Sequence, residues 1–209
     1  ENGLLYGGTL LQEIIAEALK VSECNACMKR IVAAPTAGSC GVLPAVLLPL
    51  VRRGEEEEEI LHALYVAAGF GQVIATRASI SGAEGGCQAE VGAASAMAAA
   101  ALTQLRGGTP AMCANACAMA LSNLMGLVCD PVAGLVEVPC VHRNVVGAVN
   151  ALSCADMALA GIECRIPADE VIDAMAEVGA TMDDSLRETG AGGLAATPTG
   201  KAIAARLAE

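Results

Sequence analysis

The sequence predicts an all-α fold: a compact helical domain whose Ala-rich buried helices are joined by loops that converge on one site. Hydrophobic residues make up 55% of the 209 residues, yet there is no Trp, one Phe and two Tyr. A core with so few aromatic rings favours closely packed helices with small side chains between them. No stretch shows the apolar and polar alternation of a half-buried strand. The length suits one domain, so we expect residues 1–209 to form a single unit.

Each predicted helix follows from apolar residues that recur at helical spacing. The pattern predicts helices over residues 9–28, 42–52, 57–78, 88–105, 110–127, 143–161 and 166–179. Thr109 and Pro110 supply an N-cap and a first-turn proline for one of these helices. The acidic run at residues 55–59 is predicted to be a solvated helix start, where the helix dipole favours negative charge.

Four breaks separate these helices, and all are rich in Gly, Thr, Ser or Cys. They are APTAGSCG (residues 34–41), SGAEGGC (81–87), VCDPVAGLVEVPC (128–140) and RETGAGGLAATPTG (187–200). Gly and Pro prevent a helix from continuing, and Gly lets a backbone approach a ligand closely. Such loops are typical of small-molecule sites.

Charge and hydropathy limit the classes of partner. A net charge of −11 argues against nucleic acid, because phosphate binding needs clustered Lys and Arg. The mean hydropathy of +0.54 and the uncharged runs at residues 31–51 and 107–129 raise a membrane alternative. Pro and Gly interrupt the first run, polar residues interrupt the second, and neither has an aromatic belt. We therefore expect both runs to be buried and no membrane to be bound.

The ten cysteines predict a reducing compartment, because disulfide frameworks belong to small, loop-rich secreted chains. The chain opens with ENGLLYGG, which lacks the basic start of a secretory signal. We expect a cytoplasmic protein. Because the first residue is Glu, we also expect an N-terminal segment of a longer protein to be missing.

The cysteines fall into two groups. Six lie in or beside helical patterns and are predicted to be small packing residues: Cys24, Cys27, Cys113, Cys117, Cys154 and Cys164. The other four, Cys40, Cys87, Cys129 and Cys140, lie in the breaks. Loop cysteines can direct several thiolates at one point, as an iron–sulfur cluster requires. Zinc held by Cys140 and His142 is a rival, although the long gaps match no compact zinc knuckle, and packing alone stays equally possible from spacing.

Four motifs carry a resemblance to a known family: APTAGSCGVLPAVL, GGCQAEVGAASAMAAAAL, CDPVAGLVEVPC and ETGAGGLAATPTGKAI. In this order they are similar to the α-chain, or catalytic domain, of iron–sulfur-dependent L-serine dehydratases, and the similarity runs nearly end to end. The resemblance implies a helical catalytic domain that deaminates L-serine to pyruvate and ammonia. It also implies a [4Fe–4S] cluster, held by Cys87, Cys129 and Cys140, and no pyridoxal phosphate.

With three protein ligands, one iron would be open to act as a Lewis acid on the serine hydroxyl. The loops at residues 35–41 and 189–193 are the candidates for binding the substrate carboxylate and ammonium. The candidate residues are Thr36, Gly38, Ser39, Gly41, Thr189, Gly192 and Gly193. Tight turns between helices are the alternative role for these loops.

The catalytic base is left unassigned. Cys40 is predicted to be a packing residue and His62 a surface residue, while His142 could support a neighbouring ligand. Nothing in the sequence marks Lys201 as the base.

The family also implies an N-terminal SGLTGG-like motif, which is absent before Tyr6, and a β-chain or fused β-domain. We therefore expect such a partner, and an oligomer. Two rival functions remain: a non-catalytic membrane or binding protein, and a pyridoxal-phosphate dehydratase, against which the few lysines and the helical pattern count.

Overall fold

The computed structural model describes residues 5–208 and confirms the all-α prediction. The helices of this part of the chain are α1 (Thr9–Ala26), α2 (Val42–Arg52), α3 (Glu57–Arg77), α4 (Gly82–Gly85), α5 (Ala93–Leu105), α6 (Pro110–Leu124), α7 (Cys140–Leu159), α8 (Ala168–Thr181) and α9 (Pro198–Leu207). A π-helical turn, Gln88–Gly92, leads into α5. Between residues 5 and 208 the extended backbone pairs only as an isolated parallel bridge that joins Cys129 to Arg187.

The core is built around α5, where residues 93–103 are all buried. This helix packs against α2, α3, α6 and α7, while α1 packs on α2 and α7, and α8 packs on α6. Alanine side chains allow such close neighbours, as the composition predicts. The backbone of α7 packs closely on the π-helical turn at Gly147, where an added Cβ would lie 2.8 Å from Val91 Cγ1.

Several helix starts differ from the prediction: α8 begins two residues later than expected, at Ala168, and the short α4 lies inside the predicted break at residues 81–87. Helix α7 begins at Cys140, three residues earlier than expected, and α9 begins inside the predicted break at residues 187–200. The Thr197 hydroxyl accepts the N–H of Gly200 at 3.0 Å, and Pro198 occupies the first turn of α9. Thr109 caps α6 in the same way, as predicted. Thr197 and Pro198 form the same Thr-Pro start signal, which was missed because the surrounding residues 187–200 are rich in Gly.

The two uncharged runs are not continuous helices, and the prediction that they are buried holds only in part, since Val32 is 76% exposed and residues 109–111 are exposed. The first contains a loop as far as Gly41 and the 11-residue α2, and the second contains the 15-residue α6. Among the described residues, α3 alone is long and apolar enough to cross a bilayer, and 28% of its apolar window is buried. Its first turn carries the acidic side chains that were predicted there.

The prediction of packing cysteines is confirmed in part. Cys113, Cys117 and Cys154 are buried, whereas Cys24 and Cys164 are only half-buried. The prediction is wrong for Cys27, which is exposed because α1 ends at Ala26 and the chain turns outward there. All ten thiols are free.

Candidate metal centre

Three of the loop cysteines surround one cavity. Cys87, Cys129 and Cys140 are 2%, 3% and 8% exposed, and all three line a cavity of about 150 Å³. The Sγ atoms of Cys87 and Cys129 and a carboxylate oxygen of Glu90 lie within 4.8 Å of one another. Cys40 is also fully buried, and burial raises the pKa of its thiol to about 11, as expected of a packing residue.

Each sulfur is placed by a sharp change of chain direction. Cys87 follows Gly86, which has a φ of +74°, and a Cβ added there would lie 2.9 Å from the Leu127 carbonyl oxygen, so no side chain fits. The Cys129 N–H donates to the Leu186 carbonyl, and the Glu188 N–H donates to the Cys129 carbonyl, both at 2.8 Å. The loop at residues 187–200 is thereby attached beside the second sulfur.

Cys140 is brought to the same cavity by the rest of the loop at residues 128–140. Pro131 precedes a short turn in which Ala133 and Gly134 both have positive φ. The loop reverses there, and the Val132 N–H donates to the Val138 carbonyl at 2.9 Å. Cys140 then forms the first residue of α7, so a rigid helix carries the third sulfur.

The three thiols differ in their electrostatics. The Cys129 thiol donates a hydrogen bond to the Cys87 sulfur, and this bond, aided by the Arg143 guanidinium, holds the pKa of Cys87 below its usual value. The same hydrogen bond and burial raise the pKa of Cys129. Burial raises the pKa of Cys140 to about 12. Cys87 is therefore the sulfur that most readily becomes a thiolate before a metal arrives.

Glu90 is a side chain of the cavity wall that the sequence analysis did not single out. The Thr36 hydroxyl donates to Glu90 Oε1 at 2.7 Å, and an added Cβ at Gly38 or Gly82 would come within 2.9 Å of a carboxylate oxygen. Burial raises the pKa of Glu90, the Thr36 hydrogen bond opposes that rise, and the nearby charge of Glu188 adds to it. The available signal was that Glu90 is the single charged residue between positions 85 and 105.

The loop at residues 35–41 reaches the site at one end only. Gly38 lines the cavity, and Thr36 approaches it through Glu90. Ser39 is fully buried beside the Thr36 hydroxyl, at 3.1 Å. Gly41 is buried elsewhere, where its N–H donates to Asn144 Oδ1 at 2.9 Å.

The loop at residues 189–193 lies against the site without lining the cavity. Thr189 is exposed and donates to the Asp184 carbonyl at 3.1 Å, and Gly192 packs on Ser185. Gly193 has a φ of +56° and lies against the Asp130 carboxylate, with no space for a Cβ. From this part of the chain, the cavity wall includes Glu188.

The donors that line the cavity suit an iron–sulfur cluster. They comprise three buried sulfurs and two carboxylates, whereas His142 and His62 are exposed. Thiolates are the usual ligands of such clusters, and a third sulfur supplied by a separate loop fits this role. A zinc site that uses His142 is not supported, because among the described residues this histidine belongs to no group of three or more metal-ligating side chains.

Comparison with known proteins identifies the same family as the four sequence motifs. Residues 2–195 match the family model described as "Serine dehydratase alpha chain". The chain is 55% identical to the "Probable L-serine dehydratase, alpha chain" of Bacillus subtilis (strain 168), with 99% of this chain and 69% of the relative covered. It is 50% identical to the "L-serine dehydratase, alpha chain" of Peptoniphilus asaccharolyticus, with 94% and 68% covered.

A longer relative shows the same similarity over part of its length. The chain is 48% identical to "L-serine dehydratase TdcG" of Escherichia coli (strain K12), and the match covers 85% of this chain but 40% of the relative. With a family model that spans most of the chain and these relatives, the chain belongs to the serine dehydratase alpha chain family.

Proposed function

We propose that this chain is the catalytic domain of an iron–sulfur-dependent L-serine ammonia-lyase, which converts L-serine to pyruvate and ammonia. The observation that carries the proposal is the convergence of Cys87, Cys129 and Cys140 with Glu90 on one cavity. The relatives named L-serine dehydratase supply the substrate. Loss of water from serine gives aminoacrylate, which tautomerises to an imine and is hydrolysed to pyruvate and ammonia.

Cys87, Cys129 and Cys140 would hold a [4Fe–4S] cluster. When bound, the cluster supplies a Lewis-acidic iron without a protein ligand, which disperses the charge that develops on the departing hydroxyl. The protein contributes a cavity that Val91, Pro131 and Val136 line together with the sulfurs.

The carboxylates in the wall suit the ammonium group of serine. Glu90 is held in one orientation by the Thr36 hydroxyl, and Glu188 lies in the same wall. An ammonium group between them would relieve the repulsion that helps to raise the pKa of Glu90. Gly38 lines the cavity, and this supports a role for the peptide groups of its loop in binding the substrate carboxylate.

The proposal extends to the partner and the compartment. Relatives such as TdcG contain much more sequence than this chain covers, so we propose that a β-chain or a fused β-domain completes the enzyme and that it functions as an oligomer. Ten free thiols favour a reducing cytoplasm. A role for the loop cysteines in packing alone is disfavoured, because these three line a cavity together with Glu90.

Anaerobic reconstitution with iron and sulfide tests the proposal. We expect about four irons and four sulfides per chain, together with the broad visible absorbance of thiolate-bound iron. Cys87→Ala, Cys129→Ala and Cys140→Ala should each lose most of both signals. Cys113→Ala is the matched control, because Cys113 is buried in α6, outside the cavity wall. Equal iron uptake by the control and the three ligand variants would contradict the proposed site.

Pyruvate formation from L-serine is the functional assay. It is measured on cluster-loaded protein, alone and with a β-chain of the same family. We expect Glu90→Gln to raise the KM for L-serine, since it removes a negative charge from the cavity wall. An unchanged KM would exclude Glu90 from ammonium binding.

A further inference from the structure

Arg143 is unusual among the cations of the described residues. It lies in the first turn of α7, three residues after Cys140, and its side chain is 14% exposed. The arginines of the other ion pairs between residues 5 and 208 are at least 25% exposed. A buried cation beside a group of thiols calls for a specific role.

A single nitrogen of Arg143 reaches three groups. Nη1 donates to the Val128 carbonyl at 2.7 Å and to Cys87 Sγ at 3.6 Å, and it lies 2.8 Å from Asp130 Oδ1. The guanidinium therefore joins the loop that carries Cys87 to the loop that carries Cys129, from the helix that carries Cys140. Arg143 is outside the wall of the cavity, so it reaches the site through the sulfur of Cys87.

Asp130 fixes the guanidinium from the other side. Its side chain is 3% exposed, and its Oδ2 accepts the N–H of Leu194 at 2.7 Å. One oxygen of the carboxylate is therefore held by a hydrogen bond from the loop at residues 187–200. The other, Oδ1, accepts no hydrogen bond within the described residues and faces Arg143 as an ion pair. This arrangement leaves Arg143 little freedom to turn away from Cys87.

We propose that Arg143 is a positioning residue for the metal centre: it orients the thiolate of Cys87 and donates a hydrogen bond to its sulfur. This inference rests on the proposed function, since it requires Cys87 to be a cluster ligand. Hydrogen bonds to ligand sulfurs and the net charge near a cluster set its reduction potential. A donor from a cation is stronger than a neutral one, so its loss should make the cluster harder to reduce.

The test compares cluster-loaded wild-type protein with the double variant Arg143→Met/Asp130→Asn, which avoids leaving an unpaired carboxylate. Because both charges are removed, the net charge of the site is unchanged, and the readouts report the loss of the hydrogen bond to Cys87 Sγ. Arg143→Lys keeps the charge but loses the planar fork. Arg165→Met is the matched control, because Arg165 is exposed and forms no ion pair within the described residues. The readouts are the cluster's reduction potential, followed by electron paramagnetic resonance, and the rate of iron loss to a chelator. Circular dichroism checks the fold.

In the double variant the ratio of reduced to oxidised cluster, at a fixed potential, should fall about tenfold, which corresponds to a shift of about 59 mV to more negative potential. Iron loss should accelerate by about tenfold. Arg143→Lys should shift both readouts in the same direction by less, and the control should match the wild type.

The inference is overturned if the wild type holds a cluster while the folded double variant stays within twofold of it in both readouts. If the double variant does not fold, Arg143→Lys decides: wild-type behaviour overturns the inference, and a partial shift supports it. Failure of the wild type to bind iron at all would instead refute the proposed function, and this inference with it.

Discussion

Replacement of Asp130 by alanine should destabilise the metal-free protein by about 3 kcal/mol. The Asp130 side chain is 3% exposed and lies 2.8 Å from Arg143, which is 14% exposed. Breaking a buried ion pair by removal of one partner costs about 3–5 kcal/mol, because the other charge stays buried. Arg143 keeps its hydrogen bond to the Val128 carbonyl, so we take the lower end of this range. The lost hydrogen bond to the Leu194 N–H overlaps with this cost.

The measurement is urea unfolding at pH 7, with thermal unfolding as a second readout. For a chain of this size, about 3 kcal/mol corresponds to a fall in Tm of roughly 6–12 °C. Asp156→Ala is the matched control, because Asp156 is an exposed residue of α7, and it should change stability by less than about 0.5 kcal/mol. In an Arg143→Met background, Asp130→Ala should cost about 2 kcal/mol less. A loss below about 1 kcal/mol, or an equal loss in both backgrounds, would refute the reasoning.

Two further predictions concern the core and the cavity. Gly147→Ala should lower the free energy of unfolding by about 1–3 kcal/mol in urea, because a Cβ there would lie 2.8 Å from the stiff Val91 side chain. Gly69→Ala, which has open space around it, should instead raise the free energy of unfolding by up to about 1 kcal/mol. A change of the same sign in both variants would contradict the packing. Glu90→Gln should raise the Tm of the metal-free protein at pH 8, because burial raises the pKa of Glu90 and its charged form opposes folding. That gain should vanish as the pH falls towards the ordinary glutamate value of 4.5, and a gain independent of pH would refute the charge argument.

The helices could be predicted because their signals are local. Apolar spacing gave the helical class and most helix positions, and Thr109 with Pro110 gave the start of α6. The contacts that build the site are not local. Thr36 and Glu90 are 54 residues apart, and Arg143 and Cys87 are 56 residues apart. The sequence identifies the polar residues, but the packing of the helices determines which of them come into contact.

The same packing explains how flexible-looking loops can hold three sulfurs in place. Cys87 directly precedes the π-helical turn that runs into α5, and Cys140 is the first residue of α7, which packs along α5. Two of the sulfurs therefore move only if helices of the alanine core move. Cys129 lies in a loop, but backbone hydrogen bonds to Leu186 and Glu188 fix its position. A closely packed core of small side chains thus supplies the rigidity that a preorganised metal centre requires, and the Gly and Pro residues of the loops only set the direction in which each sulfur points.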